Sequence, residues 1–367
     1  MRLNPQYETL KINGHCLLVN THTDTYYEVD DETDGLLRHP ETAENADPER
    51  VAYLKEKNIL LMDNEQPAKI RSRSRQTLSH FRLFSVPVNQ FLDRHQGLNR
   101  RIMSPTLPRN ITILSIVGIA LTVLSVISLF IYGGELFGNF TMSEAVEFLP
   151  AVYLLGTLIT CFHELGHVML CRHYCGYVGR CGLMMFFLIP AFYTNTTVSK
   201  FAERPQRRQI ILAGIRVQLI LAGILSVLII LSAAMGWQVA ILFLMLNILN
   251  YVYILLNLNP LFKYDGYWLL SQRWDMDNLY ERSIAEVLCA VRRNERVTSP
   301  KLFAYGLCVI AFYLIMWGIV TGSMLRWLYP LIRNYTFIPI GVMVFLILRE
   351  MYSWRKIGRQ TLPLQER

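Results

Sequence analysis

The stretch from Phe148 to Tyr174, FLPAVYLLGTLITCFHELGHVMLCRHY, places two demands at once on any fold that contains it. It is long and apolar enough to cross a bilayer, which needs about 20 predominantly apolar residues. Yet it carries His163, Glu164 and His167, and ionisable groups inside a span are costly unless they face a bundle interior or a wet cavity. On a helix the two histidines, at i and i+4, project from one face about a turn apart. Both imidazoles can then bind one zinc ion, with Glu164 beside the open coordination position. The pattern is that of metal-assisted hydrolysis, and the plainer alternative is three satisfied polar residues in a helical core.

Composition agrees with a membrane setting. Of 367 residues, 52% are hydrophobic and 17% charged, with a mean hydropathy of +0.27, too apolar for an ordinary soluble protein. The formal charge of +8 is better explained by loops facing anionic lipid than by nucleic acid. No secretory signal peptide is expected before the first span. The cysteines at 16, 161, 171, 175, 181, 289 and 308 lack a disulfide-like spacing and read as small apolar or free thiols.

Residues 1–68 are expected to form a small α+β domain. His15 to Asn20 and Thr25 to Asp30 predict a hairpin, Asp31-Glu32 opens a helix through Arg38, and Asp47-Pro48 opens a second one. Residues 69–109 read as a linker with Lys69, Arg71, Arg73 and Arg75, followed by an interfacial helix over 84–102. A membrane domain is expected over 110–349 and a tail over 350–367. Six spans are predicted: 111–132, 148–174, 209–231, 237–259, 302–321 and roughly 336–352. Fifteen Lys/Arg precede the first span, and none lies in 133–147 or 232–236, so both termini are expected in the cytoplasm. The stretch 176–205 is too interrupted for a span and reads as a re-entrant or strand-like loop. The fold class is thus a polytopic α-helical membrane protein of about six spans with a small N-terminal domain.

Two histidines leave zinc short of a third protein ligand. Asp265 is a candidate, in Asn257-Leu-Asn259-Pro260-Leu-Phe-Lys-Tyr-Asp265-Gly266, because Pro260 interrupts the fourth span and lets the following turn aim a carboxylate inward. Two neutral imidazoles and one carboxylate also leave a divalent cation at only +1, suited to a low-dielectric cavity. Asp-Gly after Asn-Pro is equally an ordinary turn signature, and spacing alone does not choose.

HELGH in one span, followed about a hundred residues later by Asn-x-x-Pro-x-x-x-x-Asp-Gly at the end of another, resembles the site-2 protease family of intramembrane zinc metalloproteases. The string NLNPLFKYDGYWLLS, with Asn278-Leu279 after it, is closer to the bacterial peptide zinc metalloprotease branch. The first domain is similar to the PqqD-like, winged-helix peptide-recognition fold, through its hairpin, its Tyr-Tyr-x-Val texture and its Leu-Lys-Glu-Lys-Asn-Ile-Leu ending. The resemblance covers roughly 148–282. It implies His163, His167 and Asp265 as zinc ligands, Glu164 as catalytic base, and Asn257 as a contact to substrate backbone. Asn195 in YTNTT stands where relatives carry Asp, and it is a further substrate-binding candidate. Ile215-Arg216 stands where relatives have Pro after Ala-Gly, so Arg216 needs a partner, for which Glu203 and Glu164 are the candidates.

The implied activity is hydrolysis of a peptide bond in a membrane-associated peptide or protein, in maturation of a ribosomally made peptide if the first domain captures a leader. A competing expectation is a non-catalytic membrane receptor or export accessory for a modified peptide. A secondary transporter fits the broken helix but lacks paired repeat halves.

Overall fold

The structure is a computed structural model and describes residues 1–62, 65–67, 80–137, 142–186, 189–293 and 297–332, with a few single positions beyond. The chain divides into two compact units, Met1–Leu256 and Asn257–Arg367.

In the first unit, β1 (Arg2–Leu3) is followed by β2 (Tyr7–Ile12), β3 (His15–Asn20) and β4 (Thr25–Val29), the last three forming an antiparallel sheet in that order. β3 and β4 are the expected hairpin. The third strand, β2, turns into β3 through Asn13-Gly14 at φ 49° and 86°, the two left-handed positions required by the tight turn that matches strand twist. Helix α1 (Asp31–Arg38) starts where the Asp30 carboxylate accepts from the Thr33 N–H. Helix α2 (Pro48–Glu56) starts where Asp47 accepts from the Glu49 N–H, with Pro48 in the first turn. β5 (Leu60–Leu61) then pairs with β1. Leu18, Leu36, Leu37, Val51, Leu54 and Leu60 close a small core between sheet and helices.

The basic residues of the linker, 69 to 75, lie outside the described residues. The helix expected over 84–102 is replaced by a strand and two short helices: β6 (His80–Pro87), α3 (Val88–Arg94) and α4 (Gln96–Ile102). Phe84 and Val86 alternate with Ser85 and Pro87, a period of two, and the helical period begins only past Pro87. Next come α5 (Leu107–Phe137), α6 (Met142–Glu147) and α7 (Leu149–Cys175), which closes on Gly176 at φ 67°. The stretch after α7 is strand-like, as expected. β7 (Arg180–Phe186) pairs antiparallel with β6 on one side and with β8 (Ile189–Thr194) on the other. α8 (Arg204–Ile211) and α9 (Ala213–Ala234) replace the single helix expected from Gln209. They part at Leu212, where the small pair Ala213-Gly214 lets α9 close in on α7. α10 (Val239–Leu258) completes the bundle.

Two devices fix the end of α7 that carries the histidines. The Arg172 guanidinium, 8% exposed, donates to Asn89 and to Asp93 (2.5 Å) on α3 and to Asn99 on α4 (3.2 Å), so burial of its charge is offset on three sides. The second is apolar. Ile12, Leu17 and Val19 point away from the small core and join Val168, Leu170, Cys171 and Val198 in a cluster. The N-terminal sheet therefore has hydrophobic contacts on both faces, one to its own helices and one to α7.

The second unit contains α11 (Asp265–Trp274), α12 (Leu279–Arg293) and α13 (Pro300–Ile332), packed around Tyr267, Leu279, Ile284, Leu302 and Val309. The buried Glu286 carboxylate accepts the N–H groups of Thr298 and Ser299 and the Thr298 hydroxyl, satisfying donors at the start of α13.

Among the described residues five helical segments are long and apolar enough to cross a membrane: Leu107–Ile131, Leu149–Cys175, Ala213–Ala234, Val239–Leu258 and Pro300–Ile319. The second has the lowest mean hydropathy, 1.4 against 2.1 to 2.6, because it holds His163, Glu164, His167 and Arg172. Large apolar side chains stay uncovered on these helices, with Phe130 90% and Leu255 67% exposed, a surface suited to lipid rather than water. The architecture is that of a polytopic helical membrane protein. The sixth expected span, roughly 336–352, lies largely outside the described residues.

Candidate metal centre

His163 and His167 are both buried, at 6% and 7% exposure, and their rings meet edge to face with centroids 4.9 Å apart. Each ring is held through Nδ1. His163 Nδ1 donates to Gln218 Oε1 at 2.9 Å, and His167 Nδ1 donates to the Ile210 carbonyl at 2.8 Å. Ile210 lies in the last turn of α8, where carbonyls lack their full set of intrahelical partners, so the break at Leu212 presents this acceptor. In the tautomer that lets both Nδ1 atoms donate to these oxygens, both Nε2 atoms carry a lone pair, and the two Nε2 atoms face each other at 3.1 Å. Two bare lone pairs at that distance repel unless a cation lies between them. The spacing is close to the roughly 3.3 Å between two nitrogens on one tetrahedral zinc.

The sequence reading missed the residues that build this arrangement. A Cβ on Gly214 would lie 2.4 to 2.6 Å from three atoms of the His163 ring, so only glycine lets α9 pass there. Gln218, fully buried one turn further along α9, accepts the ring's Nδ1–H, while its own backbone carbonyl accepts from Asn250 Nδ2 at 2.9 Å. A glycine and an amide one turn apart in an otherwise apolar helix were the available signal. Arg216 draws attention between them but faces elsewhere. Its Nη1 donates to Gln209 Oε1 at 2.6 Å, so the expected partners Glu203 and Glu164 are replaced by an amide within hydrogen-bond reach on the preceding helix.

If the two imidazoles hold zinc, as proposed below, Gln218→Leu is expected to weaken its retention by about 10- to 100-fold, the usual cost of losing a group that orients a metal-bound imidazole. Gln218→Glu, which keeps an acceptor, should recover most of it. Competition with a chromophoric chelator reads both, and equal retention in wild type and Gln218→Leu would remove this role.

Glu164 follows His163 on α7 and is partly buried, and its backbone carbonyl accepts the Thr194 hydroxyl at 3.4 Å. Asn195 directly follows β8. Its side-chain oxygen accepts the N–H and hydroxyl of Thr197, and its backbone closes the ladder with Gly179 and Arg180.

In the second unit Asn257 is half-buried near the end of α10. The chain leaves that helix through an Asx turn, Leu261 N–H donating to Asn259 Oδ1 at 2.9 Å, with the Pro260 carbonyl held by the Tyr305 hydroxyl at 2.7 Å. It then doubles back so tightly that a Cβ on Gly266 would lie 2.1 Å from the Leu258 carbonyl oxygen. Asp265 therefore begins α11 at a defined place, partly buried in its first turn, where the helix dipole favours a carboxylate. The turn reading and the ligand reading of Asp265-Gly266 are compatible. His163 and His167 in the first unit each offer a ring nitrogen, and Asp265 in the second offers a carboxylate oxygen, all side chains of types that can hold a metal ion. Two nitrogens and a carboxylate oxygen are a donor set that zinc accepts, with a fourth position left open.

No family model, curated protein or solved structure matches the chain.

Proposed function

We propose that this protein is an intramembrane zinc metalloprotease of the site-2 protease type, hydrolysing a peptide bond in a membrane-associated peptide or protein. The observation that carries the reading is the pair of Nε2 atoms 3.1 Å apart, their rings held through Nδ1 by Gln218 and the Ile210 carbonyl, with Glu164 on the same helix. His163, His167 and Asp265 would hold the zinc, which when bound supplies Lewis-acid chemistry for the scissile carbonyl and for a water molecule. Glu164 takes a proton from the attacking water and returns it to the leaving amine. A helical substrate hides its carbonyls in hydrogen bonds, so it must be extended before attack. β8 lies at an edge of its sheet and packs beside α7, which suits it to hold an added strand. Asn257 and Asn195 are assigned to substrate backbone.

The N-terminal sheet is assigned to peptide capture in the manner of PqqD-like domains, with both termini in the cytoplasm and maturation of a ribosomally made peptide as the role. The complete ligand set and adjacent base favour this over a receptor or export accessory, which has no use for a base beside an open metal position.

Mass spectrometry of a candidate precursor before and after exposure to the protein in nanodiscs tests the reading. Shortening is expected, abolished by 1,10-phenanthroline and restored by added zinc. A precursor that is bound but keeps its full mass with zinc present supports the accessory and sinks the protease.

A further inference from the structure

The N-terminal sheet is joined to β7, the neighbour of the strand beside Glu164, by a small set of directed hydrogen bonds. The turn between β3 and β4, Thr21 to Asp24, is shaped by Asn20, whose Oδ1 accepts the N–H groups of His22 and Thr23 at 3.0 Å. The Asp24 N–H donates to the Asn20 carbonyl at 2.8 Å, and Asp24 itself sits at φ 54°. In that conformation Asp24 Oδ2 accepts the backbone N–H of Arg180, the first residue of β7, at 2.9 Å. The Arg180 side chain completes the link: Nη1 donates to the Thr21 carbonyl at 3.4 Å, while Nε and Nη2 donate to the hydroxyl (2.9 Å) and carbonyl (2.8 Å) of Ser85 in β6.

From Arg180 the path to the metal helix is short. The Asn195 N–H donates to the Arg180 carbonyl at 3.0 Å, and the Gly179 N–H donates to the Asn195 carbonyl at 3.1 Å. The next pair along the ladder is Cys181 opposite Thr194, and the Thr194 hydroxyl reaches the Glu164 carbonyl. Nor does the seam have slack. The Tyr26 and Tyr177 rings meet edge on at 6.4 Å, and a Cβ on Gly179 would lie 3.0 Å from the Tyr26 hydroxyl and 2.7 Å from the Asn195 carbonyl. A displaced turn cannot be absorbed locally and must move the start of β7, and with it the end of β8.

We propose that Asp24 and Arg180 are positioning residues, through which the turn of the N-terminal sheet sets the placement of β8 beside Glu164 and thereby the rate of cleavage. This rests on the protease reading above, and it makes the N-terminal domain part of the hydrolytic machinery rather than a tether for substrate.

The test uses the full-length protein in nanodiscs with two Asp24 variants. Asp24→Gly keeps the left-handed turn position and removes the acceptor, whereas Asp24→Asn tolerates the same φ and keeps an acceptor oxygen. Arg180→Lys, which retains charge but loses the guanidinium fork, checks the other side of the link. Hydrogen–deuterium exchange over 180–195 is expected to rise about five- to tenfold in Asp24→Gly and Arg180→Lys and to stay near wild type in Asp24→Asn. Zinc content should be unchanged in all three, and kcat should fall in the first two with KM held. Unchanged exchange over 180–195 in both Asp24→Gly and Arg180→Lys overturns the link, and raised exchange with an unchanged kcat overturns the positioning role. Exchange judges the link even if the wild-type protein cleaves nothing, a result that would count against the protease reading alone.

Discussion

Glu164→Gln is expected to slow peptide hydrolysis by about 100- to 10,000-fold, the range for removing a general base, while zinc content stays at the wild-type level. The side chains have nearly the same size and shape, so packing on α7 is preserved. What changes is that an amide cannot accept the proton of an attacking water at neutral pH. Glu164 is not one of the three ligand candidates, and the groups that hold the histidine rings, Gln218 and the Ile210 carbonyl, lie elsewhere in the fold. Single-turnover cleavage followed by mass spectrometry, alongside elemental analysis of the same sample, separates the effects. Cleavage at the wild-type rate removes Glu164 from the reaction, and loss of zinc reassigns it to the metal shell.

Asp265→Ala is expected to lower zinc affinity by about two to three orders of magnitude, a one-quarter share of the roughly 10 to 16 kcal/mol with which four-coordinate protein sites bind zinc. Charge strengthens the expectation, since without the carboxylate two neutral imidazoles face an uncompensated dication among apolar helices. Asp265→Asn keeps an oxygen donor and the size of the side chain, and should fall between wild type and Asp265→Ala. Because Asp265 also lies in the first turn of α11, the Asn variant separates loss of a ligand from damage to the helix start. Chelator competition at fixed pH measures all three proteins. Equal affinity in all of them would leave Asp265 as a turn residue only.

Some of this site is legible in the chain because its logic is local. His163 and His167 share a helical face by spacing alone, and the cost of ionisable groups in an apolar run marks them as functional before any tertiary contact is known. Asp31-Glu32 and Asp47-Pro48 announce their helices in the same local way. Where a residue's role depends on a distant partner, the one-dimensional pattern fails. Gly214 looks like any glycine in an apolar helix until the His163 ring is found against it. Arg216 looks like the polar residue that matters on α9, yet Gln218 two positions later holds the metal-site ring. The apolar and basic residues of 84–102 suit an interfacial helix, and the strand that claims residues 84–87 is hidden because its partner β7 is about a hundred residues away.

The sequence by itself determined the membrane class, the helix that bears the imidazoles and which groups are candidates for chemistry. Each follows from composition and from periodicities of two or 3.6 residues that chain geometry imposes wherever they occur. Only the tertiary structure decided which oxygens hold the two imidazole rings, which helix leaves room for His163, and that the N-terminal sheet is built against β7. Those depend on which surfaces come within a few ångströms of each other. Hydrogen bonds and steric exclusion act only over that range, between groups the linear order keeps far apart.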